Sequence, residues 1–175
     1  MLYLLHYIST VFALEIGEKA PDFVLFNQHG KAVNFSEQIG KGPVVVFFYP
    51  KDNSIVCTKE VIAFQALEPQ FHDLGAKIFG ISSDSVESHA DFAKKHDLTY
   101  DLLADVNSKI RKEWDVPKAL FLNGRSTYTF DENGILRNIF TGYFKGLEHA
   151  TNALEQVKKL VGYEDEDHST HDDSL

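Results

Sequence analysis

Six consecutive β-branched and aromatic residues, Val44 to Tyr49, constrain this chain more than any other stretch. A run of that composition suits a strand buried on both faces. Pro50 closes it, because proline has no N–H to give to a sheet. After a short polar loop, Val61, Phe64, Leu67, Phe71 and Leu74 recur at spacings of three and four. That period predicts a helix beginning near Cys57 with one buried stripe. The stretch therefore reads strand, loop, helix, and Cys57, the one cysteine of the 175 residues, falls in the helix's first turn.

The first N–H groups of a helix have no internal partner and the helix dipole is positive there, so the position favours a thiolate over a thiol. Lys51 and Lys59 add positive charge nearby in sequence. Ser54, three residues before the cysteine, has a hydroxyl able to cap the helix or to hydrogen-bond a ligand at the sulfur. The spacing leaves a second reading open, in which Cys57 is a small core hydrophobe.

Pro50, Ser54 and Cys57 fit the Pro-x-x-x-Thr/Ser-x-x-Cys motif of the peroxiredoxins, and the chain resembles that family well beyond the motif. Ala20-Pro-Asp-Phe23 is similar to the family's opening segment. Phe48 to Asn53 and Cys57-Thr-Lys59 look like the peroxiredoxin Q (bacterioferritin comigratory protein) branch, and Arg111 to Pro117 resembles its plant-type members. The resemblance spans about residues 15–161. It implies an α/β, thioredoxin-like fold: a central mixed sheet flanked by helices, with an N-terminal β-hairpin. It also implies a thiol peroxidase that takes hydrogen peroxide and organic hydroperoxides through a Cys57 sulfenic acid. Arg125 falls where the family's active-site arginine falls; by resemblance it pairs with the thiolate and holds the peroxide, Ser54 bonds the peroxide oxygens, and Pro50 packs over the pocket.

The chain departs from the branch in two places. Ser54-Ile55-Val56 stands where its members usually have Thr-Pro-Gly, and Ile62 stands where many carry a resolving cysteine. With a single cysteine no intramolecular disulfide can form, so resolution falls to an external thiol such as thioredoxin, glutaredoxin or glutathione. Ile55-Val56 keeps a second function class open, a non-enzymatic redox sensor or partner-binding module of thioredoxin fold.

The remaining elements follow in order. Asp22 to Asn27 and Ala32 to Phe35 flank a Gln-His-Gly-Lys turn and read as a hairpin. Lys77 to Ser82 reads as a second buried strand, and Ser85 to Asp97 as a helix with Val86, Ala90 and Ala93 on one face. Pro69 predicts a bend or restart in the first helix. Leu102 to Ala104 is a short strand, and Ser108 to Trp114 one or two helical turns. Ser126 to Phe130 and Ile135 to Phe140 bracket Asp131-Glu-Asn-Gly134, a hairpin turn. Leu147, Ala150, Leu154, Val157 and Val161 predict an amphipathic last helix, with Glu148-His149 on its exposed side. Trp114, Phe121 and Tyr143 read as core, or as lining of the pocket or a partner surface.

Composition adds boundaries. Hydrophobic residues at 43% and charged ones at 25% suit one domain with a full core, spanning residues 15–161. Residues 1–14 form an uncharged N-terminal extension or targeting remnant, and 162–175 an acidic tail expected to be disordered. The tail supplies six of the acidic residues behind the net charge of -9, so the body is only mildly acidic. Nothing here points to nucleic acid, and no run reaches the roughly 18 apolar residues of a membrane span. The histidines lack zinc-site spacing, and no cofactor is expected. A monomer or weak dimer in a cytoplasmic or plastid-like compartment completes the expectation.

Overall fold

The computed structural model describes residues 13–118 and 123–163. Expectations that fall on residues 1–12, on Phe121 and on residues 164–175, including the acidic tail and its histidines, lie outside the described residues.

The buried run forms β3 (Val44–Phe48), which sits inside a seven-stranded mixed sheet. On one side lie β4 (Lys77–Ser82) and β5 (Asp101–Ala104), parallel to it, and beyond them the hairpin of β1 (Val24–Asn27) and β2 (Ala32–Asn34). On the other side β6 (Ser126–Phe130) runs antiparallel to β3, and β7 (Leu136–Thr141) antiparallel to β6. The helices are α1 (Ile55–Asp73), α2 (Val86–Lys95), the short α3 (Lys109–Glu113) and α4 (Gly146–Leu160). This is the thioredoxin-like α/β arrangement with its N-terminal hairpin.

Period-two alternation along β3 feeds two cores. Val45 and Phe47, with Tyr49 just beyond, pack with α1, α2 and α4, Phe47 stacking on Phe64 at 4.1 Å. Val44, Val46 and Phe48 face the other way, onto Phe23, Phe35, Trp114, Tyr128 and Phe130. Trp114 is thus core, held edge-on by five aromatic neighbours.

Helix α1 runs continuously through Pro69, with no restart. Two local expectations need correction. Helix α2 buries His89, Phe92 and Ala93, leaving Val86 and Ala90 only half-buried, because His89 finds polar partners beneath it. In α4, Leu147 and Val161 face solvent while His149 is completely buried. Apolar spacing located that helix but turned its inner face by part of a turn, since a histidine with buried hydrogen-bond partners can occupy a core position.

Candidate active site

Two elements distant in sequence meet at Cys57. The first is the start of α1. Asn53 takes a left-handed conformation (φ 58°), which asparagine tolerates better than most residues, and turns the chain from the half-buried Pro50 into the helix. Ser54 is the N-cap, its Oγ accepting from the Cys57 N–H at 3.4 Å. Cys57 is then the third helical residue and 1% exposed. The loop is anchored through Asp52, which accepts from the Tyr49 and Ser88 hydroxyls (2.7 and 2.8 Å) and contacts His89 Nδ1 at 2.9 Å. Burial pushes the Asp52 carboxyl up, but the bonds from His89, Tyr49 and Ser88 outweigh it and hold the carboxyl below its usual range.

The second element is the start of β6. Ser126 pairs with Phe48 at the end of β3, so sheet register delivers the preceding residue, Arg125, to the loop that follows β3. Arg125 is 2% exposed, and its Nη2 donates to Cys57 Sγ at 3.2 Å. Its Nε donates to the Tyr143 carbonyl at 3.0 Å, and Nη1 forms an ion pair with the wholly buried Glu60. Two edges of the guanidinium are therefore fixed and the third faces sulfur. A buried guanidinium needs such a counter-charge, because desolvation of an unpaired ion is costly.

Of the residues singled out from sequence, Cys57, Ser54 and Arg125 come together, with Pro50 at the head of the loop. Tyr143 enters through its backbone carbonyl, its own ring lying against Phe144. Glu60, His149 and Arg111 were missed. Glu60 was legible in principle, since it lies one helical turn after Cys57 and so shares its face. Arg111 is buried under the loop and donates to the carbonyls of Tyr49 (2.7 Å) and Gly124 (2.8 Å). Burial lowers its pKa to about 10, against the pull of Asp105 and, more weakly, of Tyr128 and Cys57, so it remains a cation at neutral pH. A surface groove of about 690 Å³ between the β1–β2 hairpin and β4 contains none of the residues around Cys57. Among the described residues no group of three or more His, Cys, Asp or Glu is arranged to hold a metal, and no helix is long and apolar enough to cross a membrane.

A buried sulfur facing an oriented guanidinium at a helix start is equipped for nucleophilic attack, and comparison with known proteins gives the same direction. The family model described as AhpC/TSA matches residues 16–139. The chain is 43% identical over 146 residues to the chloroplastic peroxiredoxin Q of Sedum lineare, covering 82% of this chain and 78% of that protein. In structure it resembles the peroxidoxin BcpB of Mycobacterium tuberculosis, with a TM-score of 0.78 and 30% identity over 84% of this chain and 98% of that one. The Xanthomonas campestris bacterioferritin comigratory protein, described for its alkyl peroxide reduction activity, gives a TM-score of 0.74 and 29% identity over 79% of this chain and 92% of that one. The chain belongs to the AhpC/TSA family, as a peroxiredoxin of the peroxiredoxin Q and bacterioferritin comigratory protein branch with a single cysteine, and is a thiol-dependent peroxidase that uses an external thiol.

Proposed function

We propose that Cys57 is the peroxidatic nucleophile, that Arg125 and Ser54 are its hydrogen-bonding partners, and that Pro50 shields the pocket. The observation that carries this reading is the 3.2 Å contact from Arg125 Nη2 to Cys57 Sγ, made by a guanidinium already fixed on its other edges by Glu60 and Tyr143. The Cys57 thiolate attacks the oxygen of the hydroperoxide that bears hydrogen. The S–O bond forms as the O–O bond breaks, sulfur is oxidised to sulfenic acid, and the departing oxygen takes up a proton to leave as water or an alcohol. Negative charge moves from sulfur to the leaving oxygen, so donors fixed in advance along that line lower the barrier. Arg125 spans it from the sulfur side. Ser54 uses its oxygen to accept from the Cys57 N–H, which leaves its O–H to donate to a peroxide oxygen.

The sulfenic acid is next attacked by an external thiol, giving a mixed disulfide and water, and a second thiol restores Cys57. Thioredoxin, glutaredoxin and glutathione are the reductants we consider. Organic hydroperoxides are included as substrates because Ile55, Phe144 and Leu147 offer exposed apolar surface on the segments that border the site, and because the Xanthomonas relative is described for alkyl peroxide reduction. All of these groups come from one chain, so a monomer or weak dimer suffices. Likeness to the chloroplastic relative supports a plastid location, which imaging of a fluorescent fusion of the full chain tests.

The first experiment is the second-order rate of Cys57 oxidation by hydrogen peroxide, with mass spectrometry identifying the sulfenic acid. The wild type is expected to exceed a free thiol by orders of magnitude, and Arg125→Ala to lose roughly 100-fold or more, the usual effect of removing one such donor. A wild-type rate equal to that of a free thiol and indifferent to Arg125 overturns the assignment.

A further inference from the structure

Behind Arg125 lies a buried titratable group to which the reaction above gives no part. His149 on α4 is 0% exposed, and its ring stands edge-on to Phe140 at 4.8 Å. Its Nε2 lies 2.9 Å from the Gly142 carbonyl, an atom that can only accept, so Nε2 carries the ring hydrogen. Burial first, and the charge of Arg125 with it, lower the imidazole pKa to about 4, against the bond to Gly142 and the charge of Glu148. The ring is therefore neutral at physiological pH. Its Nδ1 is a lone pair, and the Thr127 hydroxyl, at 2.7 Å, donates to it. Glu60 Oε1 lies 3.7 Å from the same nitrogen.

Each of these neighbours also bears on Arg125. Gly142 precedes Tyr143, whose carbonyl holds Nε. Thr127 lies two residues beyond Arg125, on the strand that delivers it. Glu60 pairs with Nη1. His149 is thus hydrogen-bonded to the turn and the strand that place the guanidinium and lies beside its counter-ion, while making no hydrogen bond to the guanidinium itself. We propose that His149 is a positioning residue for peroxide reduction, aligning Arg125 on Cys57 Sγ through its two hydrogen bonds, one to the Gly142 carbonyl and one from the Thr127 hydroxyl. A displacement of the donor by about 1 Å is enough to cost up to roughly 100-fold in rate, so loss of these ties reads out in the chemistry.

The inference rests on Arg125 being the donor that accelerates attack, and the test separates the two. Rates of Cys57 oxidation by hydrogen peroxide are compared for His149→Phe, which fills the space without either tie, and His149→Gln, whose amide can still donate to the Gly142 carbonyl. Each is made with Arg125 intact and with Arg125→Lys. With Arg125 intact, His149→Phe is expected to slow oxidation about tenfold and His149→Gln to recover most of that loss. With Arg125→Lys the same changes are expected to alter the rate by no more than about twofold, since contacts acting through one group are not additive. If His149→Phe does not fold, Thr127→Val removes one tie and carries the same comparison. Equal slowing in both backgrounds, or none with Arg125 intact, overturns the inference and leaves the assignment of Arg125 standing. An unchanged rate in Arg125→Lys and Arg125→Ala alone overturns that assignment and the inference with it.

Discussion

Ser54 is the N-cap of α1, where it satisfies the Cys57 N–H and fixes the first turn. In the proposed mechanism its remaining O–H also donates to peroxide. Ser54→Ala is expected to lower stability by about 1 kcal/mol, the ordinary cost of a lost cap, and to slow Cys57 oxidation further than that loss of order explains. Ser54→Thr, which preserves the hydroxyl, should restore both. Thermal unfolding and peroxide kinetics on the three proteins check this, and a rate that follows stability alone would reduce Ser54 to a cap. The replacement of the branch's usual Pro-Gly by Ile55-Val56 also becomes intelligible here. Ile55 is the first helical residue, where proline is favoured but not required, and its side chain lies in solvent.

Among elements, the meeting of α1 and α4 sets the geometry of the site. Gly146, the first residue of α4, lies so near α1 that an added Cβ would stand 3.1 Å from the Val56 carbonyl oxygen and 3.3 Å from Glu60. Both belong to the turn that holds Cys57 and the counter-ion of Arg125. Gly146→Ala is therefore expected to push the helices apart by a few tenths of an ångström, to cost about 1–3 kcal/mol as overpacking does, and to slow peroxide attack with it. Urea unfolding and the oxidation rate measure the two effects. An alanine variant with wild-type values in both would show that the turn yields without consequence.

Over the whole molecule, the buried imidazole links stability to pH. In the unfolded chain His149 titrates near its ordinary 6.5; in the fold, burial and Arg125 hold it to about 4. Between these values the unfolded chain binds a proton that the native state refuses, so stability is complete above about pH 6.5 and is lost as pH falls toward 4. The loss amounts to about 3 kcal/mol at 1.36 kcal/mol per pH unit. The charged groups around the ring are Arg125, Glu60 and Glu148, and the depressed Asp52 carboxyl adds its own loss at lower pH. Urea midpoints from pH 7.5 to 4 should fall for the wild type and fall less for His149→Gln. Parallel curves would mean that the pH dependence arises elsewhere.

Local order along the chain was legible because it depends on near neighbours. The β3 run, the start of α1 near Cys57, the hairpin turn at Asn133-Gly134 and the period of α4 follow from steric preference and spacing within one element, and the motif through Pro50, Ser54 and Cys57 sits inside a single loop and helix. What required tertiary structure is whatever depends on two elements meeting. Antiparallel register between β3 and β6 carries Arg125 to a sulfur 68 residues away. The crossing of α1 and α4 converts Glu60 and His149, polar residues that composition assigns to a surface, into a buried frame around it. A charge or an imidazole enters a core only when partners from other elements meet its hydrogen bonds, and one strand of sequence does not contain those partners.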